Sequence, residues 1–287
     1  MARVLVAGLL IYNSGKTWLG VSLIRRLISY GARVGVFKPV AGHDAWSQYR
    51  TVVESFKRGV LVGEDVIEYT GVVGDIDVAL VNPIDVLLAP PDLVNYLSNV
   101  YSYLEDLENQ FKQAVLARMS LCSDGSTQHF VFKENLVAVP PPLRDELERL
   151  STRLNAINSG IGDFIERLRG RDIEDELMKC LKRVEMGREV TVIESFNNAI
   201  APFKTILSEA DLLLVVAPSV VAIYRDVKEA VTAVDEAVKS YGERGFEAVH
   251  LLSKVKPSEV LYIKPRRAID EYDESIESLA RMILSIR

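Results

Sequence analysis

The tightest constraint on this chain lies at its N-terminus. Residues 3–7 form a short apolar run closed by Gly8, a strand pattern. From Lys16 to Tyr30, apolar residues at Leu19, Val21, Leu23, Ile24, Leu27 and Ile28 make the broad face of a packed helix. Gly31 suits the end of that helix. Residues 33–38 read as a second strand, stopped by Pro39. Strand, helix, strand in this order calls for two parallel strands joined by a crossover. The expected class is therefore α/β, with helices flanking a mostly parallel sheet.

The same style returns near the C-terminus. Residues 190–194, 212–217, 246–252 and 260–263 read as strands, and 224–241 and 275–286 as helices. The middle differs. From Leu93, apolar residues recur at Leu97, Val100, Leu104, Leu107, Phe111 and Ala114, steps that alternate four and three. A second stripe runs through Leu143, Leu147, Leu150, Leu154, Ile157, Ile161, Phe164 and Leu168. Between them lie a Ser/Asp/Gly turn at 123–126, a possible short hairpin at 129–139, and Pro140–Pro142 at the start of the second stripe. This pattern predicts an antiparallel helical hairpin over 92–187, inserted into an α/β domain formed by 1–91 and 188–287. Its roles are open between simple packing, a dimer interface and a lid.

Composition narrows the function. Of 287 residues, 48% are hydrophobic, enough for a sizeable core. With 34 basic against 40 acidic residues, the net charge is −6, which disfavours nucleic-acid binding by bulk electrostatics. The longest apolar run, 212–223, contains Pro218 and Ser219 and falls short of a membrane span. Cys122 and Cys180 cannot build a disulfide framework; they suit small buried hydrophobes in a reducing cytoplasm. Three scattered histidines argue against a zinc site.

The chemistry concentrates in the loop between the first strand and helix. There Ser14-Gly15-Lys16-Thr17 opens the helix, aiming backbone N–H groups and the positive end of the helix dipole at one point. Such a loop binds phosphate, with Lys16 reaching the β/γ-phosphates and the Thr17 hydroxyl on Mg²⁺. Asn13, Ser14, Gly15, Lys16, Thr17 and Trp18 are the expected nucleotide contacts. The spacing is unusual: six residues separate Gly8 from Gly15, where the standard phosphate loop has four. No basic residue lies between Arg3 and Lys16, so the second lysine of Min/Par-type ATPases is missing; Ile11 holds its place.

Gly8, Ser14-Gly15-Lys16-Thr17, Gly31-Ala32-Arg33-Val34 and Lys38-Pro39-Val40 with Gly42 together resemble the opening of dethiobiotin synthetase. Gly63-Glu64-Asp65-Val66, Val81-Asn82-Pro83, Ala89-Pro90-Pro91 and Val192-Ile193-Glu194 extend the likeness. The resemblance covers 1–91 and 188–287 and leaves the middle unmatched. It implies an enzyme that binds ATP–Mg²⁺ and transfers the γ-phosphoryl to a carboxylate or carbamate. It also implies a homodimer, Thr17, Asp65 and Glu194 as metal ligands, and Lys38 facing the transferred phosphate or acceptor anion. Oxygen ligands are what a hard cation takes. Other roles stay open: Asp65 as a helix cap, Glu194 as a solvent-facing strand end, and Asp44 as a rival ligand. The family's Thr-Asp-Thr is replaced by Leu10-Ile11-Tyr12, and its Gly-rich turn after the glutamate by Ser195-Phe196-Asn197-Asn198. Loss of those polar groups predicts an acceptor other than the dethiobiotin precursor. The preference for ATP over GTP rests on the likeness alone, and 253–257 stays open between a base-contacting loop and a basic surface loop.

Overall fold

The computed structural model describes residues 1–74, 76–265, 271 and 273–286. Eleven strands occur among them: β1 (Ala2–Gly8), β2 (Val34–Phe37), β3 (Val40–Asp44), β4 (Ile84–Leu88), β5 (Ala114–Ser120), β6 (Thr127–Val131), β7 (Ile157–Asn158), β8 (Val190–Glu194), β9 (Leu212–Ala217), β10 (Val220–Tyr224) and β11 (Glu259–Tyr262). The chain divides into two compact units. The first comprises Met1–Pro39, Glu68–Ile76 and Leu181–Arg287; the second comprises Val40–Ile67 and Asp77–Cys180. Each is α/β with its own mixed sheet.

The sheet of the first unit runs β11-β10-β9-β1-β8-β2. Its inner strands are parallel: β1 pairs with β8 and β9, and β8 pairs with β2. The β9–β10 and β10–β11 pairings are antiparallel, so the sheet is mixed rather than purely parallel. The cause is local. The long apolar run turns back at Pro218–Ser219, with Ser219 at φ 63°, and becomes a hairpin. The inner strands are apolar on both faces because helices cover both sides. Helix Lys16–Ser29 buries Leu19, Leu23, Ile24 and Leu27, and these share a core cluster with Ile276, Leu279 and Ile283 of helix Glu274–Leu284. Each such side chain contributes roughly 1.5–3 kcal/mol by burial. Residues 246–252, expected as a strand, instead lie in the turn Gly242–Phe246 and helix Ala248–Lys254. Ala248 and Leu251 are buried and Val249 is exposed, the one-sided pattern of a helix.

The second unit overturns the helical hairpin. Residues 92–187 contribute β5, β6 and β7 to a sheet of order β3-β4-β5-β6-β7. The first stripe breaks at Asn109, whose side chain caps the short helix Gln110–Gln113 by accepting from the Phe111 N–H. The next segment, Ala114–Ser120, is buried along its whole length, an environment an inner strand provides. The second stripe forms two helices, Pro141–Arg153 and Ile161–Leu168, split by β7; Leu143, Leu147 and Leu150 of the first enter the core against Val115, Leu116 and Val131. Residues 40–67 also belong to this unit rather than to the N-terminal one. Cys122 and Cys180 form a disulfide within it, their Cα atoms 5.3 Å apart, which corrects the reading of two free thiols. A separation of 58 residues gives no hint of that proximity. Among the described residues, no helix is long and apolar enough to cross a membrane.

Candidate functional site

Three strands of the first unit end side by side. Val6 of β1 is in register with Glu194 of β8, and Phe37 of β2 with Ile193, so Gly8, Lys38 and Glu194 all fall at carboxyl ends of parallel strands. That edge is the usual ligand crevice of an open α/β sheet.

The loop after β1 is braced from within. Ser14 is buried, and its Oγ accepts from the Leu10 N–H at 2.8 Å and donates to the Leu10 carbonyl at 2.9 Å. The Leu9 N–H donates to the Val216 carbonyl at 2.9 Å, tying the loop to β9. Asn13 at φ 58° and Gly15 at φ 90° turn the chain into the helix, whose N-terminus has no side-chain cap and no acidic residue in its first turn. Lys16 folds back over the start of the loop: a Cβ on Gly8 would stand 2.9 Å from its Nζ and 2.7 Å from Ser14 Oγ, so only glycine fits. Lys16 Nζ donates to the Asn197 carbonyl at 2.7 Å. Trp18 lies just inside the helix and is 46% exposed.

Glu194 is the hub beside this loop. It is 1% exposed, which removes the solvent-facing alternative. Lys38 Nζ donates to Glu194 Oε1 at 2.7 Å and to the Ser195 carbonyl at 3.0 Å. Thr17 Oγ1 donates to the same Oε1 at 3.3 Å, and the Tyr69 hydroxyl donates to Oε2. Gly20 makes room for Tyr69, since a Cβ there would collide with its hydroxyl oxygen. Lys16, Thr17, Lys38 and Glu194, chosen from the sequence, thus come together. Tyr69 and Asn197 were missed. The signal for Asn197 was the loss of glycines after the glutamate: asparagine tolerates the left-handed turn it adopts, φ 45°.

Asp65 lies in the second unit, on the first turn of helix Glu64–Val73, so the first unit by itself holds Thr17 and Glu194 of the expected ligand set. Asp44, the rival ligand, is also in the second unit and closes a turn, accepting from the Trp46 and Ser47 N–H groups and the Ser47 hydroxyl. Among the described residues no three His, Cys, Asp or Glu side chains gather as a metal site. Thr17 Oγ1 and Glu194 Oε1 are nonetheless spaced to share one cation, because ligands about 2.1 Å from Mg²⁺ at right angles stand about 3 Å apart. They fit it only in exchange for the Lys38 ammonium now on Oε1. The expected base loop loses its premise, since Ser253 and Lys254 end a helix and Lys254 pairs with Glu236.

The second unit buries a different charged row. Asp85 of β4 is in register with Arg118 of β5, and Arg118 with His129 of β6. Arg118 Nη2 donates to Asn82 Oδ1 at 2.8 Å, and burial lowers its pKa to about 10, leaving it charged. The Leu61 N–H donates to His129 Nε2 at 3.2 Å, and burial followed by the nearby Arg118 charge lowers that histidine's pKa to about 4. His43 Nε2 stands 3.2 Å from Asp85 Oδ2. A groove of about 710 Å³ in this unit is lined by Lys133, Leu136, Glu148 and Asn155 among others, and none of the residues singled out from the sequence lines it.

No family model, curated protein or solved structure matches the chain.

Proposed function

We propose that the first unit binds Mg²⁺–ATP at the Gly8–Trp18 loop. On this reading the protein is an enzyme of the P-loop type that transfers the γ-phosphoryl group to a small carboxylate or carbamate, or hydrolyses ATP. The observation that carries the reading is Lys16, held over Gly8 at the C-terminal edge of parallel strands with its ammonium within the loop. In the transfer, an acceptor oxygen bonds to the γ-phosphorus as the bond to the β–γ bridging oxygen breaks, and ADP leaves. Such a reaction mainly needs positioning and charge neutralisation, which Lys16 and Lys38 supply. Thr17 and Glu194 would hold Mg²⁺, which adds charge stabilisation on the phosphate oxygens. The apolar Leu10-Ile11-Tyr12 supports an acceptor other than the dethiobiotin precursor. A homodimer and a cytoplasmic setting belong to the same reading.

Lys16→Ala is the direct test. ATP affinity by calorimetry should fall at least about 100-fold, the loss of a charge-assisted contact, while the apo melting temperature stays put. Unaltered ATP binding would sink the assignment.

One observation favours a second reading, a nucleotide-sensing module. Leu93, Leu97, Val100, Leu104 and Phe111 of the first stripe are all at least 42% exposed, as a partner-binding face would be. Turnover stimulated by one carboxylate supports the enzyme. Nucleotide-dependent partner capture with negligible turnover supports the sensor.

A further inference from the structure

Glu194 and Lys38 form an ion pair whose side chains are 1% and 4% exposed. A carboxylate this deep needs a compensating positive charge, because burying it alone is very costly. It has room for only one such charge on Oε1. An ammonium and a divalent cation on the same oxygen repel strongly where water does not screen them. Oε2 is closed by the Tyr69 hydroxyl, which leaves Oε1, shared by Lys38 and Thr17, as the exchangeable side.

We propose that Lys38 is the resident counter-ion of Glu194 and competes with a divalent cation for Oε1. The ammonium of Lys38 is then released to bind an anion only when a cation is held by Thr17 and Glu194. The inference rests on the Mg²⁺–nucleotide reading of the adjoining loop. Lysine suits the exchange: its charge sits on a flexible stem with three rotatable donors, so the head can move while its root at the end of β2 stays fixed. Tyr69 stays on Oε2 in both states and keeps the carboxylate aimed. The device orders events, since the acceptor's anion meets an unmasked lysine only after the metal is in place. An acceptor without metal finds Lys38 neutralised.

The test uses the full chain without nucleotide and Mn²⁺ alone, followed by electron paramagnetic resonance. Lys38→Met should bind Mn²⁺ at least tenfold more tightly than the wild type. Lys38→Arg, which keeps the charge, should match the wild type, and Glu194→Gln should lose binding. Equal or weaker Mn²⁺ binding by Lys38→Met overturns the proposal, as does Mn²⁺ bound by neither protein. Wild-type protein supplies a second measurement if Lys38→Met does not fold. Brief acetylation read by peptide mass spectrometry should modify Lys38 several-fold faster with Mn²⁺ than without; unchanged protection overturns the exchange. ATP binding on the same samples separates the two claims. ATP binding without competition removes the exchange alone, whereas competition without ATP binding removes the nucleotide reading.

Discussion

In the first unit, buried Glu194 accepts hydrogen bonds from Lys38, Tyr69 and Thr17. In the second, neither oxygen of buried Asp85 accepts a hydrogen bond from the described protein groups, although His43 stands beside it and Arg118 lies opposite on the next strand. The two clusters differ in where they sit on a strand. Glu194 and Lys38 fall at strand ends, next to a helix N-terminus and a loop, where groups can exchange. Asp85, Arg118 and His129 fall inside their strands, locked by neighbours on both sides. A buried charge at a strand's C-terminal end is placed to act on something. One in mid-sheet is placed to be compensated, and removing its partner is costly.

The comparison breaks first at Arg118. Arg118→Ala should cost about 4 kcal/mol in urea unfolding, because it strands Asp85 as a buried charge. ATP affinity per folded molecule should be unchanged, and a weakened affinity would mean that the second cluster also serves the nucleotide. Tyr69→Phe is expected to be milder in stability, about 1.5 kcal/mol, since Oε2 loses one donor while Oε1 keeps two. It should also weaken Mg²⁺–ATP binding, and a purely structural loss would class Glu194 with Asp85. The smallest effect concerns pH. The His129 pKa in the fold, about 4, lies below the ordinary histidine value of 6.5, so the unfolded chain binds more protons between these values. The neutral-histidine contribution is complete above pH 6.5 and is lost as pH falls toward 4. Some residual solvation holds it to about 1 kcal/mol. Comparing urea midpoints of the wild type and His129→Gln at about pH 7 and about pH 4 checks this: the mutant should lack that part of the decline.

The N-terminal strand, helix and strand were legible because each is a contiguous apolar pattern with its own stop, Gly8, Gly31 and Pro39. Strands β8 and β9 were legible for the same reason. The second sheet was not. The spacing of Leu107, Phe111 and Ala114 continues a helical stripe, and only pairing with β4 and β6 makes Ala114–Ser120 a strand. Lys16, Thr17, Lys38 and Glu194 stood out as chemistry-bearing residues at the ends of apolar runs. Tyr69 did not, because a tyrosine on an apolar helix reads as ordinary core until its hydroxyl is seen to meet Glu194, 125 residues away.

The order of residues alone therefore determined β1, helix Lys16–Ser29, β2, β8 and β9 of the first unit and the loop that opens its first helix. Hydrophobic period, glycine and proline act over a few residues and need no distant partner. Tertiary structure decided what lies far apart in the chain and close in space: the Lys38–Glu194 pair, the Cys122–Cys180 bridge, the division into two units and the assignment of Asp65 to the second. These depend on strand register and burial, which no short stretch of sequence encodes.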